Sequence, residues 1–200
     1  MALTAQTTPA PRSSKERKRE AILAAALELF AERGFHGTTV PSVAEKAGVG
    51  TGTIYRHFKS KEEMVNTLYR SWKSHLVSLV MANFPAGKPA REQFRWTWTR
   101  MAGFASAHPR AFAFLEFNNH RSYLDEDSRR IEAQLVDFAV AWVERAQANQ
   151  VLKPMRPMML LSLLVGAFSG VIRSGWDGRI TLDEETLRAA EQCCWEAVRC

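Results

Sequence analysis

The chain is short of the residues that mark several common classes of protein. Three cysteines occur in 200 residues, at positions 193, 194 and 200. An odd set clustered at one end is a poor disulfide framework, which argues against a cystine-stapled secreted domain. No charged-then-apolar leader opens the sequence, so nothing points to export. The longest apolar run, 157–172, lies between Arg156 and Arg173. It is shorter than the roughly 20 residues a spanning helix needs. A cytoplasmic protein without a membrane partner is therefore expected. Nucleophile elbow, phosphate loop, metal-ligand spacing and redox cysteine pair are all missing, so no catalytic residue, metal site or cofactor is expected. Cys193, Cys194 and Cys200 read as incidental or structural thiols rather than a redox switch, because no electropositive cluster sits beside them in sequence.

Glycine (11) and proline (8) are also few, and they fall between long stretches of helical period. No stretch alternates with period two and no segment repeats. With 46% hydrophobic residues the chain can build a real core. The expected fold class is all-α, with about nine helices. An N-terminal three-helix unit containing a helix-turn-helix precedes a larger helical domain. The expected domains are a disordered arm over 1–14, a helix-turn-helix domain over 15–61 and an effector-binding and dimerisation domain over 62–200. Gly34 and Gly48 read as terminators of the first two helices. Ser60 with Glu63, and Thr181 with Glu184, read as capping boxes for the fourth and ninth.

The formal net charge is +6 and it is unevenly placed. Residues 1–61 hold ten Lys/Arg against five Asp/Glu, whereas the other 139 residues are nearly balanced. A local positive field suits a polyanion-binding surface, and also suits a solvated basic tail. The stretch 39–58, TVPSVAEKAGVGTGTIYRHF, discriminates between them. Ala44 is small enough for a second helix to cross close by. Gly48, four residues on, supplies a tight turn. Ile54, six further, pegs the second helix to the core. That spacing is the steric signature of a helix-turn-helix. Gly50, Thr51, Gly52 and Thr53 give the second helix a small, polar N-terminus that can approach a duplex closely. Tyr55, Arg56 and His57 add polar groups on the next turn, and Lys59 and Lys61 follow where cations meet phosphate.

Taken together, Ile22 to Ala26, Phe30, Gly34-Phe35, Gly37-Thr38-Thr39, Ala44 to Gly48, Gly52 to Phe58, Lys61-Glu62 and Leu68 resemble the TetR family of regulators. The resemblance is close over about 15–68; beyond that only the helical architecture is similar. It implies that Thr39 and Pro41 face DNA and that Thr51, Gly52 and Thr53 line the groove. It further implies that Tyr55 and Lys61 hold phosphates with His57 beside them. Arg17, Lys18 and Arg19 either reach DNA as an arm or form a solvated basic run. This chain departs from commoner relatives in having no Gln, Asn or Lys early in the recognition helix. Arg56 is the one candidate for bidentate base reading, so shape and phosphate register are expected to carry much of the specificity.

The larger domain is rich in aromatic and methionine residues, which in a helical bundle either pack as core or line an adaptable apolar cavity. The resemblance favours a cavity. Trp98, Met101, Phe117, Trp142 and Phe168 are the candidate lining, with His120, Arg121 and Asn118 as polar partners. The eighth helix, apolar on nearly every face and carrying small residues over 166–170, needs cover on every face. The resemblance implies a homodimer through the last two helices, matching a two-fold operator. The expected function is a ligand-responsive repressor of a palindromic double-stranded DNA operator, released by a small apolar or amphipathic effector. The alternative is a DNA-binding activator or architectural protein without an effector.

Overall fold

A computed structural model describes residues 13–200 of the chain. Among the described residues there are nine helices and no strand, only an isolated bridge between Leu152 and Arg199. The chain divides into two compact units, the first ending at Val65 and the second starting at Asn66. The arm expected over 1–14 lies outside the described residues except for its last two. Ser13 and Ser14 belong instead to the start of the first helix.

The first unit is built from α1 (Ser14–Gly37), α2 (Val40–Lys46), α3 (Thr51–His57) and the opening turn of α4 (Lys61–Met81). Ser13 begins α1 with a capping box. Its hydroxyl accepts from the Glu16 amide at 3.2 Å, and the Glu16 carboxylate accepts from the Ser13 amide at 2.7 Å. Ile22, Ala26, Leu29 and Phe30 recur at helical spacing and are buried. Regular α1 breaks at Gly34, whose φ of 67° is left-handed, where an L side chain would be strained. The Thr38 hydroxyl, fully buried, donates to the Leu29 and Gly34 carbonyls and so ties the end of α1 together.

Thr39 caps α2 and Pro41 sits in its first turn, where a missing amide hydrogen leaves nothing unsatisfied. Gly48 turns the chain at φ 64°, and the Val49 amide returns to the Ala44 carbonyl at 3.0 Å. Ala44 and Ile54 are buried, so the small contact residue, the turn and the peg sit where the sequence spacing requires. Phe58, Met64 and Val65 close this small core. At the start of α4 Ser60 accepts from the Glu63 amide at 3.2 Å, and the Glu63 carboxylate accepts from the Lys59 amide at 2.5 Å.

The second unit holds the rest of α4 with α5 (Ala90–Ala107), α6 (Pro109–Phe117), α7 (Glu126–Ala148), α8 (Pro157–Trp176) and α9 (Glu184–Val198). Its aromatic core includes Phe94, Phe104, Phe112, Phe114, Phe168 and Trp195. Buried Asn66 ties α4 to the entry of α7. Its amide donates to the Tyr123 carbonyl at 2.8 Å, and its side-chain oxygen accepts from the Asp125 amide and the Ser128 hydroxyl. Gln93 likewise gathers the carbonyls of Pro85, Ala86 and Lys88 while accepting from the Trp142 indole at 2.7 Å. Gly175 lets the Leu182 side chain pack close: a methyl group there would lie 2.1 Å from Leu182, which would have to turn aside. The cap of α9 is Asp183, which accepts from the Thr186 amide at 2.8 Å, not the expected Thr181. A carboxylate one residue before the helix meets the open amides directly, whereas Thr181 lies outside the turn.

Helix α8 is 20 residues long, longer than the apolar run suggested. By length and composition alone it is, among the described residues, the one helix that could cross a bilayer. Its Met158, Met159, Leu163 and Val165 are exposed, and Gly166 and Gly170 have open space where a side chain would be.

Candidate functional site

In the first unit, the residues singled out for DNA contact share the α2–α3 pair and the turn between them. Thr39, Pro41, Gly50, Gly52, Tyr55 and Arg56 are exposed; Thr51, Thr53, His57 and Lys61 are half-buried. Tyr55 is the clearest case, with 56% of its surface open although Ile54 beside it is sealed. An aromatic ring left in water on a seven-residue helix is not serving this unit's core. Arg56 reaches back to the Thr53 hydroxyl at 3.0 Å, holding the guanidinium along the helix. Neither Gly50 nor Gly52 has a neighbour within 4 Å of an added methyl, and neither has a positive φ. Nothing inside the unit requires glycine at either position, so the space they leave faces outward.

The electrostatics of this face are positive. His57 is held below the ordinary imidazole range, first by desolvation and then by the cations Lys15, Arg19, Arg56 and Lys18. Those cations come from α1 as well as α3, a convergence that no sequence window displays. Arg17, Lys18 and Arg19 lie in the first turns of α1 rather than in an arm, and the Arg19 guanidinium sits 5.2 Å over the Phe58 ring. Lys61 is engaged internally: its ammonium donates to the carbonyls of Phe35 at 2.8 Å and Thr38 at 2.9 Å, 4.0 Å above the Phe35 ring. An ammonium has three donors, so one is left over.

The second unit contains a cavity of about 580 Å³, within the range of small-molecule sites. Trp98, Met101, Trp142 and Phe168 all line it, with Leu76 and Val80 from α4, Phe138 from α7 and Val165 from α8. The indole donors of Trp98 and Trp142 are already bonded, to the Leu187 carbonyl and Gln93, so both rings offer only apolar surface inward. A larger but more open groove of about 880 Å³ runs past His75, Trp96, Arg100 and His108.

Phe117, His120 and Arg121 do not join the cavity lining. Phe117 packs against Phe112 and Trp176 under the Arg173 guanidinium. His120 is buried in a polar clasp: Nε2 donates to the Phe114 carbonyl at 2.6 Å and Nδ1 accepts from the Tyr123 hydroxyl at 2.8 Å. That fixes the neutral tautomer, since a carbonyl can only accept. Burial pushes Tyr123 up to about 12, so its hydroxyl keeps the proton it donates. Arg121 is exposed in the turn after α6, and Asn118 bonds the carbonyls of Ala113 and Phe114 at that helix's end. Of these, Asn118 and His120 serve the end of α6 by bonding its open carbonyls.

Sequence reading missed Lys73 and Glu116, which also line the cavity. The signal was present: Tyr69, Lys73, Leu76 and Val80 recur at spacings of four, three and four, one inward stripe with a cation in it. The described residues contain no group of three His, Cys, Asp or Glu positioned to hold a metal. Cys194 is raised above the usual thiol range by burial, then by Cys193 and Glu191, the opposite of an activated thiolate.

Comparison with known proteins matches residues 22–68 to the pattern described as bacterial regulatory proteins, tetR family. Residues 70–200 match the tetracyclin repressor-like C-terminal domain. The chain is 43% identical over 72 residues to the HTH-type transcriptional repressor KstR2 of Rhodococcus jostii (strain RHA1). That stretch is 34% of this chain and only 35% of the repressor's length. It is 27% identical over 160 residues to the fatty acid metabolism regulator protein of Bacillus subtilis (strain 168), covering 80% of this chain and 73% of the relative. In fold it resembles a TetR family transcription regulator from Marinobacter aquaeolei VT8. The TM-score is 0.78 at 22% identity, over 92% of this chain and 96% of that one.

Proposed function

Since this chain belongs to the TetR family of DNA-binding transcriptional regulators and is not an enzyme, we propose that it is a dimeric repressor of a palindromic operator, released by a small apolar or amphipathic effector. The cavity of about 580 Å³ in the second unit carries the sensing half of this reading. It favours sensing over the alternative of an activator or architectural protein with a filled core. The relatives named as a repressor and as a fatty acid metabolism regulator are in keeping with it.

On the DNA side, Gly50 to Thr53 would enter the major groove, with Tyr55, His57 and the spare donor of Lys61 on phosphates and Thr39 and Pro41 at the groove edge. The uncovered apolar side chains of α8 would meet the same helix of a second copy, joined by α9, and so display two readers about one helical turn of DNA apart. Helix α4 offers the coupling element. Lys61 at its start grips the end of α1, and Leu76 and Val80 further along line the cavity. A ligand acts only through unequal affinity for two states, so an occupant must favour an α4 position that misaligns the readers. The reading is tested with the intergenic DNA beside the gene in gel shifts across a salt series. A steep salt dependence and a dimer-sized complex are expected. Indifference to that DNA even at low ionic strength would remove the proposal.

A further inference from the structure

The cavity is apolar except at a few points, and those points are unequally satisfied. Thr97 and Ser162 donate back to their own helices, at the carbonyls of Gln93 and Met158. The Ser169 hydroxyl is buried with no partner. Lys73 faces Glu116 across 4.0 Å, too far for a hydrogen bond, with 10% and 17% of the two side chains exposed. The nearest other groups do not help Lys73. The Tyr69 ring lies 5.9 Å from its ammonium, and the Glu132 carboxylate is bonded to the Tyr69 hydroxyl. A largely buried ammonium with three donors and no hydrogen-bonded protein acceptor must find its acceptor in what enters the cavity, water or ligand. Glu116, more exposed, can still turn an oxygen to water.

Resting on the ligand-sensing reading above, we propose that the cavity binds an apolar monocarboxylic acid, whose carboxylate accepts from Lys73 in place of Glu116 while its tail fills the aromatic chamber. An acceptor gives the more deeply buried partner the bonds it lacks. A cationic ligand would instead meet Lys73 head-on in a medium of low dielectric. A neutral alcohol of the same shape would fill the chamber but form only a weaker, uncharged bond at its polar end. The unpartnered Ser169 hydroxyl is a second mark of a chamber shaped for an occupant.

The test is calorimetric titration of the full chain with decanoate, 1-decanol and decylamine, which share one tail. Decanoate is expected to bind at least about tenfold tighter than decanol, with decylamine weakest. The Lys73→Met/Glu116→Gln double variant leaves no buried charge unpaired. It should abolish the preference for the acid while leaving decanol within about threefold. Glu116→Gln alone should tighten decanoate and not decanol, a response a purely structural ion pair would not give. Equal binding of acid and alcohol, or an acid preference that survives in the double variant, overturns the anchor and leaves a sensing cavity standing. Failure of all three to bind or to alter tryptophan fluorescence, with Trp98 and Trp142 in the wall, overturns both.

Discussion

Gly52 shows how a single residue separates stability from function. A methyl group there meets nothing within 4 Å and the backbone is not left-handed. Gly52→Ala should therefore raise stability by up to about 1 kcal/mol through helix propensity. If DNA backbone or base approaches that face, the same methyl should weaken operator binding at least about tenfold. Thermal melts with fluorescence anisotropy on operator DNA check both signs at once. Lys61 is the complementary case, since its ammonium serves the protein before it serves DNA. Lys61→Met is expected to lose about 1.5–3 kcal/mol in denaturant unfolding, as two carbonyls lose a charged donor. It should also flatten the salt slope of DNA binding by about one; an unchanged slope would confine Lys61 to holding the end of α1. His120 contributes to the pH dependence alongside His57, whose proton affinity is also lowered. Burial, the largest effect, lowers that of His120, against a smaller rise from the Phe114 carbonyl. The unfolded chain then binds more protons than the native one below the ordinary imidazole pKa of about 6.5. Stability is full above that value and falls as pH drops below it. In denaturant unfolding at several pH values, His120→Gln should lose much of that decline.

At the scale of the element, α8 is the informative case. Its sequence is apolar on every side, yet in the single chain only Leu160, Phe168 and Ile172 are buried. Met158, Met159 and Leu163, each more than half exposed within two turns of α8, are large apolar side chains left to water, a mark of an interaction surface. Leu163→Glu is expected to give a monomer by sedimentation velocity and, because one half-site binds weakly, to lose operator affinity by more than about tenfold. A dimer that persists would place the two-fold elsewhere. The caps tell a related story at smaller size. Ser13 and Thr39 cap their helices, and the terminus of α9 falls to Asp183 because the carboxylate reaches the open amides from one residue before the helix.

Across the whole molecule, the proposed function requires that ligand binding among aromatic side chains reach the helices that read DNA. Under the proposed function, α4, which runs from Lys61 to Met81 without a break, is the element that would carry a displacement imposed on Leu76 or Val80. Filling the cavity from within tests this coupling. Ala139 is in the cavity wall, and Ala139→Phe should occupy the space a ligand needs. Operator affinity should stay near that of the native protein, while cavity ligands that weaken native operator binding by 5–150-fold, the usual span of allosteric coupling, should have no effect. Anisotropy titrations with and without ligand decide it. Undiminished release in the variant would locate the sensor outside this chamber.

The amino-acid sequence by itself determined the helical class and the helix-turn-helix, because these depend on short-range regularities. Apolar spacing, glycines at turns, capping residues and the Ala44, Gly48, Ile54 steric pattern all act within a few residues. Only the tertiary structure decided which residues line a chamber and which do not. Trp98, Met101, Trp142 and Phe168 line it with Lys73 and Glu116, whereas Phe117 packs on Phe112 and Trp176, His120 is held in a polar clasp and Arg121 is exposed. It also decided that Lys61 bonds carbonyls 26 and 23 residues away. Such partnerships join residues distant along the chain, and the energy that fixes them arises from desolvation and geometry that exist only once the helices have packed.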